Sequence, residues 1–204
     1  MNSGTTYESV RIAEGGDWAE PLAVLRSAFA ADPFVGWLFP DPATRDDFQT
    51  RFYLPLLSHP CAETTLLGTG EAAAIWLSLA PGRPPFEGTD STGSSEESGF
   101  GDNAARLAIA GEYLAERHPT GSAHRYLAVM GVVPGAQGTG LGSLLLRHGL
   151  AQADAEGIGS YLEATTAGSR QLYRRYGFAD LGGPVHLPGG PTLWPMWREP
   201  ATTH

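Results

Sequence analysis

A glycine-rich turn between a strand pattern and a helix pattern constrains this chain more than any other feature. The apolar run from Tyr126 to Val133 predicts a strand, and the leucines after Gly142 predict a helix. The turn between them reads Gly-Ala-Gln-Gly-Thr-Gly-Leu-Gly over residues 135–142. Glycine allows a tight bend and adds no side chain above it. Because the first N–H groups of a helix have no partner inside it, this turn predicts a site for phosphate oxygens.

The spacing within the turn excludes two familiar phosphate-binding motifs. The phosphate loop of ATP-binding proteins ends in Gly-Lys-Ser or Gly-Lys-Thr, and this chain contains no lysine. The glycines Gly138, Gly140 and Gly142 lack the last spacing of the dinucleotide fingerprint and lie late in the chain. The pattern that does match is Val-x-Pro followed by Gln-x-x-Gly-x-Gly, which starts its second part at Gln137.

A second block follows this turn at a short distance. Tyr161 to Thr165 has the pattern of a strand, and a helix predicted from Ser169 to Tyr176 stops at Gly177, a common residue at a helix end. Residues 172–178 read Leu-Tyr-x-x-x-Gly-Phe. Each block is therefore predicted to contain a strand, a connecting segment and a helix, and a phosphate site is predicted at the first block.

These two blocks resemble those of the acetyl-CoA-dependent N-acetyltransferases of the GNAT superfamily. The resemblance is closer to the puromycin N-acetyltransferase group of actinobacterial enzymes, and it covers roughly residues 124–198. It implies an α/β fold in which a central mixed, mostly antiparallel sheet of about six or seven strands has splayed central strands and helices on both faces. The segments that carry the closer resemblance are residues 126–132, 137–142, 161–163 and 189–196.

Length and composition are those of one folded domain, which we predict to span residues 1–204. The net charge of −9 argues against a general nucleic-acid binder, which normally presents a basic face. An acidic chain can attract a cationic amine, although the same charge also simply keeps a protein dissolved. The single cysteine, Cys61, excludes an internal disulfide, and the N-terminus lacks the regions of a signal peptide. We therefore expect a cytoplasmic protein with no membrane contact, either a monomer or a homodimer.

The remaining elements are predicted from apolar periodicity and from breaking residues. The first helix is expected to end at Ala31-Asp32-Pro33, and the segment 81–103 is predicted to be a mobile acidic loop, either a lid or an idle insertion. The other predicted elements are strands at 10–12, 64–67, 72–79, 126–133, 159–165, 178–181 and 193–198, and helices at 18–31, 43–57, 104–116, 143–156 and 169–176.

The resemblance implies which residues bind the donor, acetyl-CoA. Its pantetheine arm is expected against the end of the strand, and its pyrophosphate on the turn. Ser169 stands where the family usually has an asparagine, which puts one cofactor hydrogen bond in doubt, and Arg175 is a candidate for a phosphate contact. No set of His, Cys and carboxylates has metal-ligand spacing, so no metal is expected. The residues implied for the strand end are Gly131, Val132 and Val133, and those for the turn are Gln137, Gly138, Thr139, Gly140, Leu141, Gly142 and Ser143.

Acetyl transfer to an amine needs a base for the amine and an acid for the departing sulfur. The resemblance implies that Tyr173 is the acid, and a phenol is protonated at neutral pH. Glu163 is the candidate base, since a carboxylate inside an apolar strand has a raised pKa. Tyr176 is the competing acid and His124 the competing base.

The acceptor pocket is expected to come from the N-terminal half, whose aromatic side chains can stack on a flat apolar molecule. We expect the acceptor to be the amine of a small molecule, an antibiotic or a nucleoside-like natural product. The alternatives are another acyl donor or an aminoacyl donor such as aminoacyl-tRNA, and a non-catalytic module that binds CoA or a small molecule. The candidate acceptor residues are Phe34, Trp37, Phe52, Tyr53, Trp76 and His124.

Overall fold

The computed structural model describes residues 10–13, 15–85 and 99–201. The predicted loop at 81–103 falls largely on residues 86–98, which lie outside the described ones. The strands are β1 (Arg11–Ile12), β2 (Ala62–Leu67), β3 (Ala72–Leu79), β4 (His124–Val132), β5 (Gly159–Ala164), β6 (Ala179–Asp180), β7 (Val185–His186) and β8 (Thr192–Arg198). The helices are α1 (Ala19–Phe29), α2 (Pro33–Leu38), α3 (Arg45–Leu57), α4 (Ala104–Ala115), α5 (Leu141–Glu156) and α6 (Ala167–Arg175).

The strands form one mixed sheet. Its order is β1-β2-β3-β4-β5-β8-β6, and β7 pairs with β8 beside this path. Among the described strands, β4 and β5 make the single parallel pair, and every other pairing is antiparallel. The predicted α/β class with a mostly antiparallel sheet is therefore confirmed.

Helices cover both faces of the sheet. Residues of α1 and α3, such as Leu25 and Leu57, pack on one face, which we call the α1 face. Residues of α5, such as Leu145 and Leu146, pack on the other, which we call the α5 face. The side chains of β3 alternate between the two faces, and this alternation buries Ile75 on the α1 face and Trp76 on the α5 face.

The two central strands separate after a short stretch of pairing. The parallel register of β4 and β5 covers three residue pairs and ends at Tyr126 and Tyr161. A β-bulge follows immediately, because Trp76 faces Leu127 while Ile75 faces Val129. This leaves Ala128 as the extra residue of β4. A bulge bends a strand and increases its twist, so it turns the second half of β4 away from β5 and opens a gap in the sheet.

The short helix α2 is the main element that the sequence prediction omitted. Asp32 and Pro33 were expected to end a helix, and they do follow α1, but they also begin α2. Asp32 is its N-cap and Pro33 occupies its first turn, where a proline has no N–H to lose. The two-residue strand β7 was also not predicted. No helix within the described ranges is long and apolar enough to cross a membrane.

Candidate active site

The glycine-rich turn presents backbone N–H groups to solvent. Gly138 and Gly140 have φ values of 78° and 94°, a region that side chains make costly. Gly140 is the N-cap of α5, and no side chain caps that helix end. The amides of the first turn therefore have no partner inside the helix. Residues 137–140 are exposed, and a Cβ placed on Gly138 or Gly140 would meet nothing within 4 Å, so this surface is open to a phosphate group.

The gap between β4 and β5 offers further backbone groups. The N–H of Val133 bonds the carbonyl of Glu71 at 2.8 Å on the β3 side. Backbone groups along a strand alternate in direction, so those of Met130 and Val132 point away from β3 and into the gap. Both residues line the cavity described next, and so does Gly131. Of the expected strand residues, Val133 is already paired, and Met130 was not anticipated.

A cavity of about 1710 Å³ passes along this gap. Ligand pockets commonly measure about 300–1,000 Å³, so the cavity has room for two substrates. At one side it reaches Gln137, Ser169 and Tyr173, and at the other it reaches the aromatic residues of α2 and α3. It therefore connects the glycine-rich turn with the N-terminal half of the chain.

Glu163 lies on the cavity at the point where the strands separate. Alternation along β5 places it on the same face as the buried Tyr161, which belongs to the α1-face core. Burial raises its pKa to about 7, while hydrogen bonding to Tyr126 acts in the opposite direction. The Tyr126 hydroxyl donates to Glu163 Oε2 at 2.9 Å. A carboxylate with this pKa can both take up and release a proton near neutral pH.

Tyr173 lines the cavity from α6 and is 7% exposed. Burial, and then the charge of Asp32, raise the pKa of its hydroxyl, so the phenol stays protonated at neutral pH. Tyr176 lies elsewhere: its hydroxyl accepts a hydrogen bond from Arg147 Nη1 at 3.0 Å on α5. Hydrogen bonding to Ser143 and Arg147 lowers the pKa of Tyr176. Because Tyr176 does not line the cavity, its position favours Tyr173 as the acid.

Comparison with known proteins agrees with this geometry. Residues 99–178 match the model of the acetyltransferase (GNAT) family. A solved structure described as histone acetyltransferase HPA2 and related acetyltransferase from Corynebacterium glutamicum is 30% identical, covers 96% of this chain and 97% of its own, and has a TM-score of 0.68. The chain belongs to the GNAT family of acetyltransferases. It is therefore an acyltransferase, and the splayed strands and the glycine-rich turn are those of a GNAT fold.

Other solved N-acetyltransferases share this fold at lower identity. Arylalkylamine N-acetyltransferase 2 from Aedes aegypti is 15% identical, covers 94% of this chain and 98% of its own, and has a TM-score of 0.64. An agmatine N-acetyltransferase is 14% identical with the same coverage and a TM-score of 0.66. At these identities the likeness shows the fold alone.

The residues predicted to bind the coenzyme differ in their positions relative to the cavity. The Gln137 amide donates to the carbonyl of Val132 at 3.1 Å and fixes the turn against the strand end. Ser169 lines the cavity, but its hydroxyl closes a capping box with Thr166 at the start of α6. Arg175 is exposed on α6. Among the described residues, no group of three or more His, Cys, Asp or Glu is arranged to hold a metal ion.

Some of the residues predicted to bind the acceptor line the cavity, and others do not. Phe34, Phe52 and Tyr53 line the cavity. Trp37 lies behind Phe34, with ring centroids 6.4 Å apart, and is outside the lining. Trp76 is fully buried on the α5 face, where it packs against α5, so we do not retain it as an acceptor residue.

His124 is also separated from the cavity. It is 1% exposed, and its Nε2 lies 3.1 Å from Nε2 of His118, which does line the cavity. Burial, with a smaller effect of His124, lowers the pKa of His118 to about 4, and burial also lowers the pKa of His124. His124 Nδ1 donates to the Ser122 carbonyl at 3.0 Å, so its Nε2 accepts from His118. Both imidazoles are neutral at pH 7, and His118 is a cavity residue that the sequence analysis did not single out.

Asp32 is a second cavity residue that the sequence prediction missed. Its Oδ1 accepts hydrogen bonds from the N–H groups of Phe34 and Val35, and its Oδ2 accepts one from Thr165 Oγ1 at 3.1 Å. The carboxylate thus joins the start of α2 to the end of β5. Its charge contributes to the raised pKa values of Tyr53 and Tyr173. The sequence signal was present, because Asp before Pro is a common start of a helix.

Proposed function

We propose that this protein transfers the acetyl group of acetyl-CoA to the amine of a small molecule. The observation that carries the proposal is the open run of amides at the N-terminus of α5, which continues into a cavity containing Glu163 and Tyr173. The fit to a diphosphate rests on Gly138 and Gly140, whose backbone conformations and open surroundings leave the amides uncovered. The cavity volume accommodates both substrates.

Each catalytic residue has one task in this reaction. Acetyl-CoA supplies the activated acetyl group as a thioester. Glu163 accepts a proton from the acceptor's ammonium group and releases it to solvent, so that the neutral nitrogen can form a bond to the acetyl carbon. Tyr173 donates its proton to the sulfur as the carbon–sulfur bond breaks, and it is reprotonated from solvent. The surplus proton of the new amide leaves to solvent through Glu163, so the products are an amide, free CoA and a proton.

Two observations bear on the nature of the acceptor. The sequence resemblance to the puromycin N-acetyltransferase group supports an antibiotic or nucleoside-like acceptor. The cavity lining supports a molecule with an apolar or aromatic part, because Phe34, Phe52 and Tyr53 contribute to it. We also propose that residues 1–204 act as one domain in the cytoplasm, as a monomer or a homodimer. Sedimentation of the full chain tests the oligomeric state.

The test of the proposed function separates donor binding from transfer. Calorimetry should detect binding of acetyl-CoA and CoA by the full chain, and the release of free CoA should depend on an added amine. Mass spectrometry of the acceptor should show one acetyl group. Absence of heat with both coenzyme forms would contradict the proposal, whereas a different mass change would indicate another acyl donor.

A further inference from the structure

The Asp32 carboxylate is held in a fixed position on the cavity wall. Two backbone N–H groups of α2 bond to Oδ1 at 2.8 and 3.0 Å, and the hydroxyl of Thr165 bonds to Oδ2. A carboxylate oxygen can accept a second hydrogen bond, so Oδ2 retains acceptor capacity. Asp32 is half-buried and lines the cavity. A molecule inside the cavity could therefore donate a hydrogen bond to Oδ2.

Asp32 has no cationic partner within the described ranges. No ion pair joins a basic side chain to Asp32 or to Glu163 there. Arg51 also lines the cavity, but it is exposed and donates to the carbonyl of Gly99 at 3.2 Å. His118 is neutral at pH 7 because burial lowers its pKa. A cationic ligand in the cavity could therefore pair with Asp32 without displacing a positive side chain of the described residues.

Much of the cavity lining is apolar, and its polar residues include Thr165, Ser169 and Tyr173. Aromatic and aliphatic side chains from α1, α2, α3 and α4 line the same part of the cavity, and Phe34 is the second residue after Asp32 in α2. Such a wall favours a ligand whose charged group is attached to a large hydrophobic body. The lining residues of this kind are Phe29, Phe34, Phe52, Phe100, Leu107 and Leu114.

We propose that Asp32 binds the ammonium group of the acceptor, and that the acceptor is a primary amine carried by a bulky apolar or aromatic body. This inference rests on the proposed amine acetylation. The Thr165 hydroxyl bonds to Asp32 Oδ2 at 3.1 Å, and Thr165 is the second residue after Glu163. An ammonium group bound to Asp32 would therefore lie near the end of β5, where the proposed base is. Asp32 acts as a specificity residue that admits cations, and Glu163 then removes the proton.

The test uses Asp32→Asn in the full chain, with Asp41→Asn as a matched control. Asparagine is an equally good N-cap, so α2 should be retained. Asp41 is exposed and outside the cavity lining. Its Oδ1 accepts from Ala43 N–H at 3.0 Å and its Oδ2 from Thr44 Oγ1 at 3.2 Å. Both aspartates accept a backbone N–H at Oδ1 and a threonine hydroxyl at Oδ2, and they differ in their access to the cavity.

The probes are matched in shape and differ in charge. Calorimetry in the presence of saturating CoA would compare phenethylamine and tryptamine with their alcohols, phenethyl alcohol and tryptophol, and with spermidine as a polar polyamine. We expect the wild type to bind the aromatic amines more tightly than their alcohols. Asp32→Asn should weaken amine binding by about tenfold to a hundredfold, the usual effect of one charged hydrogen bond. The alcohols, CoA and the Asp41→Asn protein should be unaffected.

Several results would overturn the role of Asp32. These are equal binding of amines and alcohols by the wild type, equal weakening of both by Asp32→Asn, binding of spermidine alone, and no binding of any amine. The proposed function is checked in the same titrations by the heat of CoA binding. If CoA does not bind but the amines bind through Asp32, the amine site stands and the acetyl-CoA assignment falls.

Discussion

The proton tasks that we propose for Glu163 and Tyr173 are opposite, and the surroundings of each residue shift its pKa in a way that suits its task. Burial brings the carboxyl of Glu163 to a pKa of about 7, at which it exchanges protons readily. Burial and the charge of Asp32 raise the pKa of the Tyr173 phenol, which keeps its proton available. The proposed base and the proposed acid both line the same cavity.

Replacing Tyr173 by phenylalanine should reduce kcat by about 10²–10⁴-fold, the usual contribution of a positioned acid. The affinity for CoA should not change, because the phenol is proposed to act on the departing sulfur. Steady-state kinetics and calorimetry measure the two quantities. Tyr176→Phe is the control, since that hydroxyl bonds to Arg147 outside the cavity, and similar losses in both variants would contradict the assignment.

The pH dependence of kcat/KM should report on Glu163. A general base must be ionised, and below its pKa of about 7 the carboxyl is protonated, so the activity should fall as the pH decreases through 7. Glu163→Gln should be slower and should lose this inflection. An unchanged pH profile in the variant would show that another group is the base.

The sequence predicted those site residues that lie within a recognisable local motif. Tyr173 and Glu163 lie within a recognisable strand–helix block, and both line the cavity. Asp32 and His118 lie in segments where the sequence shows only a helix break and a loop. Their place at the cavity results from tertiary packing, since Asp32 bonds to Thr165, which is 133 positions away in the chain.

At the scale of elements, the proposed binding of CoA depends on the backbone conformation of the turn before α5. Gly140 has a φ of 94°, so Gly140→Ala should introduce strain of roughly 1–2 kcal/mol. The turn should relax away from its present shape, and CoA affinity should fall by about tenfold, which corresponds to a free-energy change of this size. Calorimetry with CoA measures the effect.

The control for this prediction is in the same turn. Gly135 does not have a positive φ, and a Cβ placed on it would meet nothing within 4 Å. Gly135→Ala should therefore bind CoA as the wild type does. Equal affinities for Gly140→Ala and the wild type would show that this turn does not need its present conformation for binding.

Elements with a local signal were predictable, and features that depend on two elements were not. The strand β4, the turn and α5 follow from periodicity and glycine placement. The bulge at Ala128 and the direction of the Met130 backbone depend on the register with β3, which the sequence does not state. The sequence analysis proposed Trp76 for the acceptor pocket, but its ring packs on the α5 face, where Gly149 of α5 leaves room for it. This packing also depends on two elements.

At the scale of the whole molecule, two buried groups should affect the pH dependence of stability in opposite directions. His118 has a folded pKa of about 4, below its unfolded value of 6.5, so acidification from pH 6.5 to 4 favours the unfolded state. Glu163 has a folded pKa of about 7, above its unfolded value of 4.5, so a rise from pH 4.5 to 7 favours the unfolded state. Each shift corresponds to about 3 kcal/mol.

The two contributions should nearly cancel between pH 4.5 and 6.5 in the wild type. Removing one of them should therefore reveal the other. The free energy of unfolding of Glu163→Gln should decrease as the pH is lowered through this range, and His124, whose pKa is also lowered, acts in the same direction. Urea unfolding at several pH values measures the slope, and an identical slope in wild type and variant would contradict the prediction.

The brief pairing of β4 with β5 has a mechanical consequence. Strands β1 to β4 belong to one half of the sheet and β5 to β8 to the other, and three residue pairs connect them. The rings of His118, His124, Tyr126 and Tyr161 surround this connection. The junction therefore connects the two halves of the sheet at one place, and a coenzyme lying in the gap would connect them at a second. The amide hydrogens of Met130 and Val132 should then exchange more slowly once the coenzyme is bound.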